Sequence, residues 1–203
     1  MGLTYDTPID WKSTNWWRNR DLEERMFHAK IPNRYAIENR KPGPWHDPAI
    51  KEIDKWIASY KPGESILITG ESMSGKTYQA VNILTALMSN SKMSGRFIDS
   101  DDYIEMVKDS FGSDDGLPHW YSTPHLLKYI KGVWDVVIID GLGQERLTEF
   151  AKHEIGSLIR HRHSHMLTTI ITSEHTAADI RHKYGRRLDG PTGDMKQVTL
   201  NGG

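Results

Sequence analysis

The residues of this sequence best suited to chemistry form one glycine-rich run. It reads Gly70-Glu71-Ser72-Met73-Ser74-Gly75-Lys76-Thr77, which has the spacing G-x-x-x-x-G-K-[ST]. Glycines let a backbone curl until its N–H groups point at phosphate oxygens, and the positive end of a following helix adds to the attraction. Lys76 is then placed to reach the β- and γ-phosphates, and the Thr77 hydroxyl to ligate Mg²⁺. The pattern predicts a phosphate-binding loop for ATP and Mg²⁺, with contacts from Gly70 through Tyr78.

The segments on either side of this run support the same interpretation. An apolar, β-like stretch at 65–69 precedes it, and a helical pattern at 78–88 follows it. A strand, a loop and a helix in this order are the context that the motif requires. A chance match in a glycine- and serine-rich turn is the alternative, and both flanks argue against it.

A second chemically useful residue ends a strongly apolar run. Four β-branched residues at 136–139 precede Asp140, which is typical of a strand buried on both faces of a parallel sheet. A carboxylate at the carboxyl end of such a strand lies beside the crevice where open α/β sheets bind ligands. We therefore expect Asp140 to hold the Mg²⁺ shell together with Thr77.

The remaining patterns place these residues in one α/β domain. Short apolar runs at 96–99, 167–173 and 197–200 predict three further strands, which makes a five-stranded parallel sheet enclosed by helices. Helices are expected after Asp101, over 147–163 and after Thr176, and a Gly/Pro turn is expected beyond residue 188. The polar end of 167–173 is expected to face the γ-phosphate.

Composition limits the class of protein. The 203 residues suffice for one such domain with a modest extension, and the formal net charge of −1 provides no global attraction to nucleic acid or membrane. The chain has no cysteine, which excludes disulfides and thiolate metal sites. No apolar run approaches the roughly 20 residues of a membrane span. We expect a cytoplasmic protein that does not contact membranes.

The first 30 residues are expected to form a short helical extension, with the nucleotide-binding domain over 31–203. Trp11, Trp16 and Trp17 lie among basic side chains, in a helix expected to reach about Ala29. Three roles fit these tryptophans: packing on the core, docking on a partner protein, or stacking on single-stranded nucleic acid. The sequence leaves these roles open.

Histidines and arginines alternate at 160–165, near the end of the long predicted helix. His161 and His165 share one helix face, but no nearby acid or cysteine completes a metal-ligand set. We interpret this segment as a basic helix end that is solvated or faces phosphate.

These motifs together resemble those of the AAA+ ATPases of the bacterial helicase-loader group, the DnaC/DnaI-like and IstB-like proteins. The resemblance spans about residues 25–201. Its more specific parts are Asp140-Gly141-Leu142-Gly143 and Tyr184-Gly185-Arg186-Arg187-Leu188. The sequence ends just after its last strand, so no C-terminal lid domain is expected, as in this group.

The resemblance implies an ATP-binding DNA replication protein that docks on a DnaB-type replicative helicase and helps place it on single-stranded DNA. It implies self-association through ATP-bridged interfaces, with Arg186 and Arg187 as candidate fingers that reach a neighbour's ATP. It makes Thr172 or Ser173 the sensor of the γ-phosphate or of the attacking water. The segment 11–27 is the one expected to grip the helicase.

One departure from the group concerns hydrolysis. Loaders usually carry an acid directly after the aspartate, and this chain has Gly141 there. The acid orients and activates the attacking water, which glycine cannot do. We therefore expect an ATPase with weak turnover, in which ATP acts chiefly as an assembly switch. Glu145 and Glu174 are the nearby acids that are candidates to substitute for it.

Two alternative functions stay open at this point. One is an IstB-like transposition helper, although such proteins usually have a longer N-terminal region. The other is a P-loop kinase of a small metabolite, although the stretch 100–122 is acidic and lacks the arginines of a kinase lid.

Overall fold

The structure is a computed structural model that describes residues 20–36, 48–111 and 123–201. These residues form one parallel five-stranded sheet, as predicted. Its strands are β1 (Ile66–Gly70), β2 (Gly95–Asp99), β3 (Val136–Asp140), β4 (Thr168–Ser173) and β5 (Lys196–Leu200). Their order across the sheet is β2-β3-β4-β1-β5.

The three central strands determine where the site lies. β1 and β3 are mostly apolar, β4 has two isoleucines between threonine and serine residues, and all three strands are buried on both faces of the sheet. Because the strands are parallel, their carboxyl ends meet at one edge, where open α/β sheets bind ligands. β4 lies between β1 and β3. Its last residues are therefore next to both the end of β1, where the glycine-rich loop begins, and the end of β3, where Asp140 lies.

Helices cover both faces of the sheet. Within the described ranges they are α1 (Leu22–His28), α2 (Pro48–Ser59), α3 (Lys76–Ser91), α4 (Ser100–Asp109), α5 (Thr123–Gly132), α6 (Glu149–Ser164), α7 (Ala177–Tyr184) and α8 (Asp189–Asp194). α1, α2 and α3 pack on one face, and α4 to α8 supply the core of the other. None of these helices is long and apolar enough to cross a bilayer, as far as the described residues go.

Two local predictions are wrong. α4 begins at Ser100 rather than after Asp101, because β2 runs directly into the helix and the Asp99 carboxylate caps it by accepting from the Asp101 N–H at 2.8 Å. The predicted Gly/Pro turn beyond residue 188 is the short helix α8. Pro191 is compatible with that helix because it lies in the first turn, where an N–H has no helical partner.

α1 belongs to the expected N-terminal extension, yet it packs on the nucleotide-binding domain. Met26 and Ala29 are buried in the core, and Arg25 donates a 2.5 Å hydrogen bond to the Met88 carbonyl at the end of α3. The Phe97 N–H of edge strand β2 donates to the Ala29 carbonyl at 2.7 Å. The three N-terminal tryptophans lie outside the described residues, and a domain boundary at residue 30 stays a prediction.

The end of α6 does not face phosphate, contrary to one of the two interpretations above. Arg162 is fully buried and donates to backbone carbonyls that include those of Ile130, Trp134 and Thr168. Trp134 precedes β3 and Thr168 begins β4, so Arg162 lies at the opposite edge of the sheet from the glycine-rich loop.

Two histidines at the end of the same helix contact one another. The rings of His161 and His165 stack with their centroids 4.0 Å apart. Among the described residues, no group of three histidine, aspartate or glutamate side chains is placed to hold a metal ion.

Candidate nucleotide-binding site

The glycine-rich loop joins β1 to α3 in the way that the motif requires. A Cβ atom on Gly70 would collide with the carbonyl oxygen of Leu200 and lie 2.8 Å from Ser74 Oγ, so only glycine fits there. Gly75 caps α3 in a left-handed conformation without a side-chain hydrogen bond. The first N–H groups of a helix have no partner within the helix, and here they face the loop that is predicted to hold phosphate.

Lys76 folds back over this loop. Its ammonium donates to the carbonyls of Gly70 at 2.9 Å and Glu71 at 2.6 Å, and the residue is only 8% exposed. Burial lowers the pKa of Lys76, while the carboxylates of Glu174 and Asp140 oppose that shift. The lysine therefore lies near two carboxylates at the carboxyl edge of the sheet.

Thr77, Asp140 and Thr172 form one hydrogen-bonded group. Thr77 Oγ1 donates to the two Asp140 carboxylate oxygens at 2.9 and 3.0 Å. Thr172 Oγ1 donates to Asp140 Oδ1 at 2.6 Å and accepts from the Gly141 N–H at 2.9 Å. The strand order brings them together, because Thr172 is the next-to-last residue of β4, the strand between β1 and β3.

This group fits Mg²⁺. The ion prefers oxygen ligands and is usually bound by one or two carboxylates or hydroxyls together with substrate phosphates and water. Thr77 and Asp140 supply a hydroxyl and a carboxylate already in contact with one another. The buried Ser74 Oγ, which has no hydrogen-bond partner within the described residues, is a donor that a phosphate oxygen would satisfy.

The two sensor candidates have different surroundings. Thr172 contacts the carboxylate of Asp140, whereas Ser173 Oγ donates to the Leu142 carbonyl at 2.5 Å and accepts from the His175 N–H at 3.0 Å. Ser173 is fully buried in these contacts. The structure therefore brings Thr172 into the candidate site and gives Ser173 a structural role.

Gly141 has a conformation that other residues rarely adopt, with φ of 72°. A Cβ atom there would lie 3.0 Å from Gln144 Oε1. Gln144 Nε2 in turn donates to Glu174 Oε1 at 3.3 Å. The missing side chain at 141 thus makes room for a glutamine that reaches Glu174, directly beyond the end of β4.

Glu145 has a structural contact that the sequence did not suggest. Its carboxylate is 4% exposed and accepts hydrogen bonds from the Gly143 N–H and from the Tyr184 hydroxyl. Tyr184 ends α7 immediately before Gly185 and the two arginines. No residue-type pattern marks this pair, because the partners are 39 positions apart.

Arg186 and Arg187 lie on an exposed 3-10 turn, Arg186–Leu188. Neither side chain makes a hydrogen bond or ion pair with the residues that the structure describes. One chain alone does not bring them to Lys76 and Asp140, and their action on a neighbouring chain stays a prediction.

Comparison with known proteins identifies the fold. No protein-family model and no curated protein matches the chain. The crystal structure of the DnaC helicase loader superposes with a TM-score of 0.67 at 23% identity, covering 84% of this chain and 99% of that one. The crystal structure of DnaI gives a TM-score of 0.61 at 21% identity, covering 75% and 82%.

A replication initiator has the same architecture. DnaA bound to AMPPCP and single-stranded DNA gives a TM-score of 0.60 at 16% identity, and the match covers 84% of this chain but 51% of that one. These likenesses confirm the predicted α/β P-loop fold. The chain therefore shares its fold with the DnaC helicase loader and with DnaI.

Proposed function

We propose that this protein is an ATP-binding DNA replication protein of the DnaC/DnaI-like helicase-loader type. The contact of Thr77 with Asp140, beside the glycine-rich loop, is the observation that carries the proposal. It provides a hydroxyl and a carboxylate for Mg²⁺ next to the lysine and helix start that favour phosphate. The AAA+ fold shared with a protein that is itself a helicase loader supports the choice among P-loop functions.

Binding of ATP is expected to change the contacts of the loop. Lys76, which now donates to the carbonyls of Gly70 and Glu71, would donate to phosphate oxygens, and Thr77 and Asp140 would hold Mg²⁺. When bound, Mg²⁺ supplies positive charge that offsets the charge of the phosphates. The Thr172 hydroxyl would keep its hydrogen bonds to Asp140 and the Gly141 N–H, and so connect the nucleotide site to the loop after β3. ATP can therefore act as a switch for assembly.

Nucleotide binding is tested with K76A. Fluorescently labelled ATP with Mg²⁺ should bind the wild-type protein, and K76A should lose most of that binding because the phosphates lose a buried cation. K55A, which removes an exposed lysine of α2, serves as the matched control and should bind like the wild type. Equal affinity in K76A and K55A would contradict the phosphate-binding role of the loop.

A cleft between the end of α4 and the start of α6 supports the proposed contact with single-stranded DNA. Lys108, Phe111, Arg146 and Phe150 line a space of about 510 Å³. Phe111 is 76% exposed, and its ring lies edge-on to that of Phe150 at 6.1 Å. Exposed aromatic rings stack on bases, and neighbouring cations attract the backbone of the strand.

The DNA contact is tested with F111A and a labelled oligo-dT. Stacking is worth about 1–3 kcal/mol per base, so binding should weaken about 5- to 150-fold. F27A removes a half-exposed phenylalanine on the other face of the sheet and is expected to leave DNA binding unchanged. Equal losses in F111A and F27A would remove the support for this cleft.

The proposed grip on a DnaB-type helicase involves the segment 11–27. Trp16 and Trp17 lie outside the described residues, so this part of the proposal depends on their composition. W16A/W17A should lose co-purification with the helicase while still binding labelled ATP. A double variant that fails to fold would instead favour packing of these tryptophans on the core.

A further inference from the structure

We propose that Glu174 is the carboxylate that activates the attacking water, in place of an acid directly after Asp140. The inference rests on the proposed function, because it concerns hydrolysis of the ATP that the loop binds. It makes Glu174 a catalytic residue and Gln144 the residue that positions it. Four features of the structure lead to this assignment.

The first feature is that Glu145, the acid in the loop after β3, already has hydrogen-bond partners for both carboxylate oxygens. Glu145 is buried, with one carboxylate oxygen accepting from the Gly143 N–H and the other from the Tyr184 hydroxyl. A water molecule that attacks phosphate needs a carboxylate that solvent can reach. Glu145 therefore stabilises the loop after β3 and does not take part in the reaction.

The second feature is the position of Glu174. It directly follows the last residue of β4, the strand between β1 and β3, and is two residues beyond Thr172. β4 lies directly beside β1, the strand that leads into the loop of Lys76, and the charge of Glu174 acts on the Lys76 ammonium. Glu174 is also exposed, so its carboxylate combines proximity to the phosphate-binding lysine with access to water.

The third feature is a support for this carboxylate. Gln144 Nε2 donates to Glu174 Oε1 at 3.3 Å, and Glu174 Oε2 makes no hydrogen bond to the described residues. Gly141 has no side chain to crowd this glutamine, whereas a Cβ there would lie 3.0 Å from Gln144 Oε1. Gly141 thus stands where an acid is expected, and Gln144 beside it holds a different acid, Glu174.

The fourth feature concerns the remaining competitor, Asp99. It ends β2, which lies on the far side of β3 from β1. Its Oδ1 is occupied as the cap of α4, where it accepts from the Asp101 N–H. Asp99 is therefore farther across the sheet from Lys76 than Glu174 is, and it is the best residue against which to compare Glu174.

The proposed step is the hydrolysis of ATP, with Glu174 as the acceptor of the proton. A water oxygen attacks the γ-phosphorus of ATP, and a water proton passes to Glu174. The bond from the γ-phosphorus to the oxygen that bridges it to the β-phosphate breaks, and ADP leaves with that electron pair. The products are ADP and inorganic phosphate, and the proton on Glu174 returns to solvent.

The test compares E174Q with D99N in the full chain, using phosphate release and the affinity for labelled ATP. E174Q keeps the shape of the side chain but cannot accept the proton, so turnover should fall on the order of 100-fold, the size of a general-base contribution. Its ATP affinity should be equal or higher, because a negative charge near the γ-phosphate is removed. D99N should turn over ATP at nearly the wild-type rate.

Other results would contradict either the assignment of Glu174 or the proposed function, and the two cases can be told apart. E174Q that releases phosphate like the wild type, or D99N that alone loses turnover, overturns the assignment. A wild-type protein that binds ATP without hydrolysing it also overturns the assignment but leaves the proposed ATP-binding function intact. A wild-type protein that does not bind ATP contradicts the proposed function itself, and K76A then shows no difference in binding.

Thermal melting adds a second readout. E174Q should melt like the wild type, because the side chain is exposed. A loss of turnover at an unchanged melting temperature then reports on the reaction and not on folding.

Discussion

Thr172 and Asp140 are joined by a 2.6 Å hydrogen bond from the threonine hydroxyl to the carboxylate. The same hydroxyl accepts from the Gly141 N–H, so one side chain links the end of β4 to the loop after β3. That loop reaches Glu145, whose carboxylate binds Tyr184 just before the exposed arginines. These hydrogen bonds and the backbone between them thus connect the candidate Mg²⁺ site to the surface expected to meet a neighbouring chain.

The first prediction concerns the hydroxyl of Thr172. T172V keeps the shape of the side chain but leaves the buried Gly141 N–H without its partner, which should lower the free energy of unfolding by about 1–3 kcal/mol. Phosphate release should fall with it, because Asp140 loses a donor. T172S restores the hydroxyl and should recover most of both quantities in urea unfolding and turnover assays. Equal behaviour of T172V and T172S would contradict the role of this bond.

The second prediction concerns the left-handed conformation of Gly141. G141A should lower the free energy of unfolding by about 1–2 kcal/mol, because a Cβ disfavours that conformation. G141E should carry the same penalty and should not raise turnover, since Glu174 is proposed to be the acceptor of the proton. G156A is the control, because nothing lies within 4 Å of a Cβ there; it should stabilise α6 by about 0.5–1 kcal/mol. A faster ATPase in G141E would show that residue 141 alone limits hydrolysis.

The third prediction concerns the buried Arg162. R162M should lower the free energy of unfolding by at least about 3 kcal/mol, because several buried carbonyls lose a donor and each costs about 1–3 kcal/mol. R160M removes an exposed arginine of the same helix and should have little effect. Chemical denaturation measures both. ATP affinity of folded R162M should stay near that of the wild type, because Arg162 lies at the opposite edge of the sheet.

The sequence predicted the strands and the phosphate-binding loop because both depend on local patterns. Five short apolar runs gave five strands, and the residues around Lys76 sufficed to predict a loop followed by a helix. The position of Thr172 on Asp140 also follows once strand order is known. The partnership of Glu145 with Tyr184 could not be predicted, because it depends on how α7 packs against the loop after β3.

The burial and the partners of charged residues were predicted less well for a related reason. A run of histidines and arginines suggests a solvated helix end, yet Arg162 is buried because backbone carbonyls from α5, β3 and β4 converge on it. Asp99 caps α4 because no loop separates that helix from β2. Both outcomes depend on where neighbouring elements end, which residue types alone do not specify.

The fourth prediction concerns pH and His28. Burial, and then the charges of Arg20, Lys30 and Arg96, lower the pKa of His28 below 6.5. As the pH falls through 6.5, the unfolded chain binds a proton before the folded chain does, so the free energy of unfolding decreases until the folded-state pKa is reached. H28Q should flatten this dependence in urea unfolding at a series of pH values. An unchanged slope would assign the effect to other groups, such as His161, whose pKa is shifted in the same direction.

The final prediction concerns the exposed arginines Arg186 and Arg187. If they act on a neighbour's ATP, R186A/R187A should bind labelled ATP normally but hydrolyse it more slowly than the wild type. Mixing this variant with K76A should restore part of the turnover, because K76A chains bring intact arginines to chains that still bind ATP. R160A, which removes an exposed arginine elsewhere, is the control and should hydrolyse ATP like the wild type. Turnover of the mixture that only equals the sum of the two separate variants would show that the arginines do not act between chains.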